Sequence, residues 1–286
     1  MMFWLLGLIW GSSFIYMKLG AELITPLQIV MVRLIFGLIP VAIYAAIKNT
    51  LRLSHLQHFG HLFILSLIGT VAYYYGFIKG ASLLYSGVVG ALSGLTPIFS
   101  YLLALLLLSD ERPVANKILG IVVGFIGVLL IARPFAEGVP SSNIEGVLYT
   151  LLGSFSVGAS FVYVKKFILP LKIPPSALIT YQLGIGIIIL AFVTDLSGIG
   201  NLWTNFYVAM ALVVGLGILG TGIAYILYYY IIDKLGAVTA SSVAYVPPVV
   251  ALIIGVLIVG EQIQFLDYVG AALILGGVIL VNKVKQ

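Results

Sequence analysis

Apolar runs of membrane-spanning length follow one another along almost the whole chain. Charged residues and prolines divide the 286 residues into runs of about the 20 residues that a bilayer-spanning helix needs. We count ten runs, approximately residues 2–20, 26–47, 60–81, 86–108, 115–132, 145–168, 175–194, 206–232, 237–259 and 267–283. With 62% hydrophobic and only 8% charged residues, the chain cannot cover the surface of a soluble domain. We therefore predict an all-α membrane protein with ten transmembrane helices.

The basic residues between the runs indicate orientation. If the N-terminus is cytoplasmic, the inner side holds ten lysines and arginines: Lys48, Arg52, Arg112, Lys117, Lys165, Lys166, Lys172, Lys234, Lys283 and Lys285. The outer side then holds only three, which are Lys18, Lys79 and Arg133. Because basic residues favour the cytoplasmic side, we expect a multi-pass protein of the inner or plasma membrane with both termini in the cytoplasm.

The first half of the chain is repeated in the second. Residues 10–18 read WGSSFIYMK, and residues 157–165 read VGASFVYVK. That offset is 147 residues, and further pairs follow at offsets of 149 to 151: Pro26 and Pro175, Arg33 and Gln182, Gly69-Thr70 and Gly220-Thr221, Pro97 and Pro247, Glu111 and Glu261. We predict a first five-helix repeat over residues 1–135, a linker over 136–143 and a second repeat over 144–286. Because five is odd, the second repeat enters the membrane inverted, as in many secondary transporters.

These motifs resemble a known family. The WGSSF opening, the intramembrane Arg33, the small-residue run ending in Pro97 before Asp110-Glu111, the echo at Pro247 and Gly260-Glu261, and the closing LG and GV pairs are similar to EamA-type transporters of the drug/metabolite transporter superfamily. The resemblance covers essentially the whole chain, with Val157 in place of Trp10 and Gln182 in place of Arg33. It implies export of small metabolites such as amino acids by alternating access, and the direction rests on the resemblance alone.

Polar and aromatic residues that interrupt the apolar helices are the expected lining of a path between the halves. Spacings of three and four residues place several of them on shared helix faces. The predicted substrate-binding residues are Trp10, Ser13, Tyr16, Tyr74, Phe77, Ser93, Thr96, Ser160, Tyr163, Tyr225, Tyr228, Tyr229, Ser242 and Tyr245. Their uncharged, tyrosine-rich character favours a zwitterion with an apolar side chain. Alternatively, the serines bond to carbonyls of their own helices, and some tyrosines face lipid.

Five further residues are predicted to have structural or gating roles. Arg33 lies inside a span, where a charge costs at least about 2.5 kcal/mol unless it pairs or reaches water. We expect it to reach the interface or to bind carbonyls, with recognition of a carboxylate as the alternative. Pro97 and Pro247 should kink their helices. Glu111 and Glu261 should cap helices, with proton coupling as the alternative.

Other classes of function have little support in the sequence. The chain has no cysteine, its three histidines lie in or beside one loop, and no acid–base pair stands out, so we expect no metal, no cofactor and no enzymatic activity. The scattered basic residues do not indicate nucleic acid. The expected partners are a small-molecule substrate and the lipid bilayer, and one chain with both halves suffices as a monomer. The alternatives are an importer or exchanger of nucleosides or organic cations, and a non-transporting membrane subunit.

Overall fold

The chain is helical throughout the part that the structure describes. A computed structural model describes residues 2–108, 113–132, 141–228, 230–231, 243 and 246–282, and no strand occurs among them. The helical rods are α1 (Met2–Ala21), α2 (Pro26–Ile47), α3 (Leu53–Leu83), α4 (Ser86–Leu107), α5 (Ala115–Ala132), α6 (Ser141–Tyr163, with further turns to Leu171), α7 (Pro175–Val193), α8 (Phe206–Tyr228), α9 (Val246–Leu257) and α10 (Phe265–Asn282).

Most of these rods have the dimensions of membrane helices. Seven of the described rods, namely α1–α4 and α6–α8, are long and apolar enough to cross a bilayer. The other three contain shorter apolar helices. The prediction of an all-helical, multi-pass membrane protein is confirmed, whereas the count of ten spans stays a prediction.

Helix α2 illustrates how the sequence starts a rod. Thr25 and Gln28 form a reciprocal capping box, in which each side chain accepts a hydrogen bond from the backbone N–H of the other. Pro26 occupies the first helical turn, where its missing N–H costs nothing. The Gln28 amide also donates to the carbonyls of Asp195 and Ser197, at 2.7 and 3.0 Å. The start of α2 is therefore tied to the connection between α7 and α8.

Several rods depart from α-helical geometry. Helix α3 contains a π-helical stretch at Leu67–Ala72, and α8 contains a longer one at Ala211–Ile223. Helix α4 is interrupted at residues 94–95, and its second segment begins at Thr96 with Pro97 in the first turn. The fourth rod is thus broken where a proline kink was predicted, with the proline starting a new helix. Pro247 likewise lies in the first turn of α9.

The rods of the first half pack mainly against those of the second. Helix α1 packs on α9 and α4 packs on α6, while α2 packs on α8 and α7 packs on α3. Helices α2 and α7 contact each other, as do α4 and α9. When the two halves are exchanged, the contact of α1 with α9 becomes that of α6 with α4, and the contact of α2 with α8 becomes that of α7 with α3. The contacts of α2 with α7 and of α4 with α9 are unchanged by the exchange.

Helices α5 and α10 also pair across the two halves, and glycines form their contact. A Cβ atom on Gly277 would meet the backbone of Gly120 and Gly124, and one on Gly127 would lie 2.5 Å from the carbonyl oxygen of Gly270. By contrast, a Cβ on Gly276 would meet nothing within 4 Å. Small residues let membrane helices approach closely enough to gain van der Waals contact. Glycine is therefore needed on the face of α10 that meets α5, and not at Gly276.

Two neighbouring substitutions test this packing. We expect Gly277→Ala to destabilise the purified protein by about 1–3 kcal/mol, because the added methyl overpacks a backbone contact. Gly276→Ala, one residue away, should be neutral or slightly stabilising, because alanine favours the helix and its methyl meets open space. Thermal unfolding in detergent measures both. Equal effects of the two variants would contradict the assigned helix face.

Candidate functional site

Arg33 is buried between the halves, at the contact of α2 with α8. Only 2% of the Arg33 surface is exposed. Nε donates to Thr221 Oγ1 at 2.8 Å, and Nη2 lies 3.4 Å from the carbonyl oxygen of Gly220. The guanidinium carbon lies 3.9 Å from the centre of the Tyr74 ring on α3, within cation–π range. Arg33 thus binds a hydroxyl and a carbonyl inside the bundle and does not extend to the interface.

The π-helical geometry of α8 supplies the acceptors for Arg33. In a π-helix the hydrogen bonds close over five residues, which widens the turn and often marks a functional region. Thr221 Oγ1 donates to the carbonyl of Leu216, five residues back, at 3.1 Å while it accepts from Arg33. A Cβ on Gly37 would lie 2.7 Å from Thr221 Cγ2. Glycine at this position therefore lets α2 reach the widened turn.

The same contact occurs a second time with the halves exchanged. Gln182 on α7 donates from Nε2 to Thr70 Oγ1 at 2.7 Å and to the carbonyl of Gly69 at 3.0 Å. Gly69 and Thr70 lie in the π-helical stretch of α3. Gly186 lies opposite Thr70 as Gly37 lies opposite Thr221, but less closely: a Cβ there would be 3.4 Å from Thr70 Cγ2. The two halves thus build one scaffold twice, once with a guanidinium and once with a neutral amide.

Two predicted tyrosines meet beside Arg33. Tyr74 is 2% exposed, and its hydroxyl lies 3.4 Å from that of Tyr225 on α8. The Tyr73 ring lies beside the Tyr74 ring, with centres 4.2 Å apart and planes tilted by 34°. Phe77, also buried, packs edge to face against Phe14 at 5.8 Å. The structure therefore places Tyr74 against the buried arginine and brings Tyr225, from the opposite half, to the Tyr74 hydroxyl.

A second aromatic pair lies further along α1 and α8. The rings of Trp10 and Tyr228 are 5.7 Å apart, in a small apolar cluster that includes Leu6 and Ala224. Both rings are partly exposed. Trp10 and Tyr228 were predicted separately, on different helices, and the structure places them together.

Other predicted residues lie apart from this centre. The Tyr163 hydroxyl is 2.7 Å from His61 Nδ1, and the Tyr16 ring packs against Gly215. Thr96 only begins the second segment of α4. Glu111, Tyr229, Ser242 and Tyr245 lie outside the described residues.

Three of the four predicted serines, those that the structure describes, form hydrogen bonds within their own helices, as the alternative for the serines states. Ser13 donates to the carbonyl of Ile9 at 2.9 Å, and Ser93 donates to the carbonyl of Gly90 at 2.6 Å. Ser160 donates in the same way to Val157 at 2.7 Å. Each hydroxyl proton is used within its own helix, which leaves only the oxygen as an acceptor for another group.

Glu261 caps a helix, although not the one that follows it in sequence. Its Oε1 accepts from Lys18 Nζ at 2.9 Å and from the Ser86 N–H at 2.8 Å, and its Oε2 accepts from the Gly87 N–H at 3.2 Å. The carboxylate thus lies at the N-terminus of α4, where the helix dipole favours a negative charge. Gly255 leaves room for Oε2, because a side chain there would occupy the position of that oxygen.

The environment of Glu261 shifts its acidity. Burial alone raises the pKa of the carboxyl, but the hydrogen bonds from Ser86, Lys18 and Gly87 outweigh burial and hold the pKa below its usual value of 4.5. A group whose pKa is lower in the folded than in the unfolded protein stabilises the fold above the unfolded value. This stabilisation is lost as pH falls through the folded pKa.

A pH series tests this cap. The unfolding temperature of the wild type should fall as pH drops from about 5, because Glu261 takes up a proton. Glu261→Gln should lower stability at neutral pH by about 1–3 kcal/mol, because Lys18 and the α4 N–H groups lose a charged acceptor. Its unfolding temperature should also depend less on pH in the acid range.

Glu145→Gln is the matched control. The Glu145 side chain is 51% exposed and lies 4.0 Å from Lys79, so its ion pair should contribute little. If Glu145→Gln and Glu261→Gln changed the stability equally at neutral pH, the assigned role of Glu261 would be wrong.

Sequence reasoning missed the partners of Arg33 and of Glu261, and the second copy of the Arg33 contact. Thr221, Thr70 and Gln182 were recognised only as repeat positions, and Lys18 only as a basic residue near a span end. The signal in the sequence was the nearly constant offset between the repeats, which makes Arg33 equivalent to Gln182 and Thr70 equivalent to Thr221. Because the halves are exchanged in space, each donor reaches the acceptor of the other half.

Comparisons with known proteins agree with this architecture. The profile of the EamA-like transporter family matches residues 1–133 and 144–283. The chain is 31% identical to the uncharacterized transporter YdfC of Bacillus subtilis (strain 168), over 97% of this chain and 90% of that protein. It is 27% identical to the uncharacterized inner membrane transporter YedA of Escherichia coli (strain K12), over 98% and 89%.

More distant matches extend the same picture. An uncharacterized transporter of Archaeoglobus fulgidus is 24% identical over 96% of this chain and 95% of that protein. A solved crystal structure shares the fold with a TM-score of 0.63 at 17% identity, covering 98% of this chain and 94% of that chain. The chain therefore belongs to the EamA-like transporter family and is a multi-pass membrane transporter.

Proposed function

We propose that this chain is a secondary transporter that exports small metabolites, amino acids or similar amphiphilic solutes, by alternating access. In this proposal, ten helices cross the membrane as two inverted five-helix repeats, and the path runs between the repeats. The protein lies in the inner or plasma membrane with both termini in the cytoplasm. The observation that carries the proposal is the duplicated contact of Arg33 with Thr221 and of Gln182 with Thr70.

The duplicated contact supports two equivalent halves, and the odd number of five helices in each repeat makes them inverted. Each repeat donates a side chain from its second helix to the π-helical stretch of the other repeat's third helix. Exchanging the halves therefore returns the same set of helix contacts, as it also does for α1 with α9 and α4 with α6. Two near-equivalent halves allow two near-equivalent arrangements, open to opposite sides, which alternating access requires.

At one end of the bundle, hydrogen bonds of Glu261 to Lys18 and Ser86 form a clasp that would have to open. The Glu261 carboxylate joins the end of α1 and the start of α4 to the connection between α9 and α10. With the N-terminus in the cytoplasm, these three elements lie on the outer side. Release of a solute to the outside would then require this clasp to separate, while the contacts of α5 with α10 remain packed.

The aromatic residues near Arg33 favour an amphiphilic solute. Tyr74 and Tyr225 present aromatic rings with hydroxyls, and Trp10 with Tyr228 adds a second partly exposed aromatic pair. Rings of this kind contact apolar side chains of a solute, and a few polar groups fix its orientation. Export is the direction implied by the resemblance to the family.

Solute flux in proteoliposomes tests the proposal. Labelled leucine, phenylalanine and threonine are offered with and without an imposed pH gradient, and protein-free vesicles serve as the blank. We expect saturable flux without a gradient, because among the described residues no carboxylate lies at the central contact. Flux that appears only with a pH gradient would contradict this expectation and would show that transport is coupled to protons. Flux of nucleosides or organic cations, but of no amino acid, would favour the alternative substrates.

Substitution of a central tyrosine tests the path. Tyr74→Leu should lower the flux by about tenfold, because it removes both the ring beneath Arg33 and a hydrogen-bonding hydroxyl. Tyr207→Leu is the control, since Tyr207 is 86% exposed at the start of α8. A folded Tyr74→Leu variant with the flux of the wild type would place the path elsewhere.

A further inference from the structure

The guanidinium of Arg33 has hydrogen-bond donors that no described residue accepts. Arginine carries five N–H donors and no acceptor, and it stays charged in proteins. Nε and Nη2 face Thr221 and Gly220, but Nη1 is buried and has no hydrogen-bond partner among the described residues. Two charged N–H groups therefore lie inside the bundle without an acceptor, which is costly.

No protein carboxylate neutralises this charge within the described part of the chain. The ion pairs found there are those of Lys18 with Glu261 and of Lys79 with Glu145, and neither involves Arg33. The Tyr74 ring offers partial compensation from one face only. A buried cation in a membrane protein normally pairs, so the partner of Arg33 has to come from elsewhere.

The second half provides an internal comparison. Gln182 makes the equivalent contacts with Thr70 and Gly69, and it leaves no buried donor unpaired. A neutral amide is therefore sufficient to hold the second helix of one repeat against the third helix of the other. The charge and the additional amino group of Arg33 exceed what that structural role requires.

We infer that Arg33 Nη1, together with the weakly bound Nη2, binds the carboxylate of the transported solute, next to Tyr74 and Tyr225. This inference rests on the proposed function and names the group by which the cargo is held. The two terminal amino groups of a guanidinium match the two oxygens of a carboxylate. The tyrosine rings then contact the apolar part of the solute. The site is asymmetric, because the equivalent position in the other half is Gln182.

Ligand-induced stabilisation of the purified protein in lipid nanodiscs tests the inference without requiring transport. The probes are 3-phenylpropionate, which has only the carboxylate; phenylalanine, which has carboxylate and amine; phenethylamine, which has only the amine; and inorganic phosphate. We expect the first two to raise the unfolding temperature of the wild type in a saturable manner. Phenethylamine should not.

Variants at Arg33 identify the group responsible. Arg33→Gln copies the residue of the other half, so it should fold, and it should bind both carboxylates about tenfold to a hundredfold more weakly, as expected for the loss of one or two charged hydrogen bonds. Arg33→Lys keeps the charge and should lose less. Lys79→Gln removes a charge elsewhere and should bind like the wild type.

Several results would overturn the inference. They are unchanged carboxylate binding by Arg33→Gln, binding of phenethylamine in preference to both carboxylates, absence of binding by either carboxylate, and Arg33-dependent binding of phosphate alone. The proposed function fails separately. If no amino acid is transported but 3-phenylpropionate binds through Arg33, the carboxylate site stands and the cargo belongs to another class of acid. If amino acids are transported with no dependence on Arg33, only the site is wrong.

Discussion

A charged guanidinium held inside an apolar bundle is the interaction on which the central arrangement depends. The interior of a membrane protein has no bulk water to satisfy Arg33, so the protein must supply acceptors. It does so by widening α8 into a π-helix, which presents the Thr221 hydroxyl and the Gly220 carbonyl to α2. Gly37 allows the close approach that these hydrogen bonds need. One polar side chain thus accounts for local helix geometry, glycine placement and contact between the halves.

The proposed repeat accounts for the occurrence of this contact in both halves. Gln182 reaches Thr70 and Gly69 through the same geometry, with a π-helical stretch and a facing glycine in equivalent places. The shared scaffold is needed for packing, and it accepts either a charged or a neutral donor. The same architecture therefore holds arginine in one half and glutamine in the other, and Arg33 is the one buried cation in the part of the chain that the structure describes.

The sequence predicted the features that depend on composition and on local spacing. The apolar runs predicted the helices, and the burial cost of a charge predicted that Arg33 would bind carbonyls or reach the interface. The π-helical stretches were not predictable, because the shift from four-residue to five-residue hydrogen bonding leaves no periodic signal in an apolar run. Glu261 was expected to cap a helix, but its partner α4 lies 174 or 175 residues away, and only the fold brings them together.

The central claim is that the two halves are inverted, and the sidedness of equivalent turns tests it most directly. A short 3₁₀ turn at Leu53–His58 begins α3, another at Ile199–Thr204 precedes α8, and both carry exposed residues. Because the chain has no cysteine, Ser54→Cys and Asn201→Cys each introduce a single thiol. A membrane-impermeant maleimide applied to intact cells should label Asn201→Cys directly, and Ser54→Cys only after permeabilisation. Labelling of both, or of neither, in intact cells would contradict the inverted repeat.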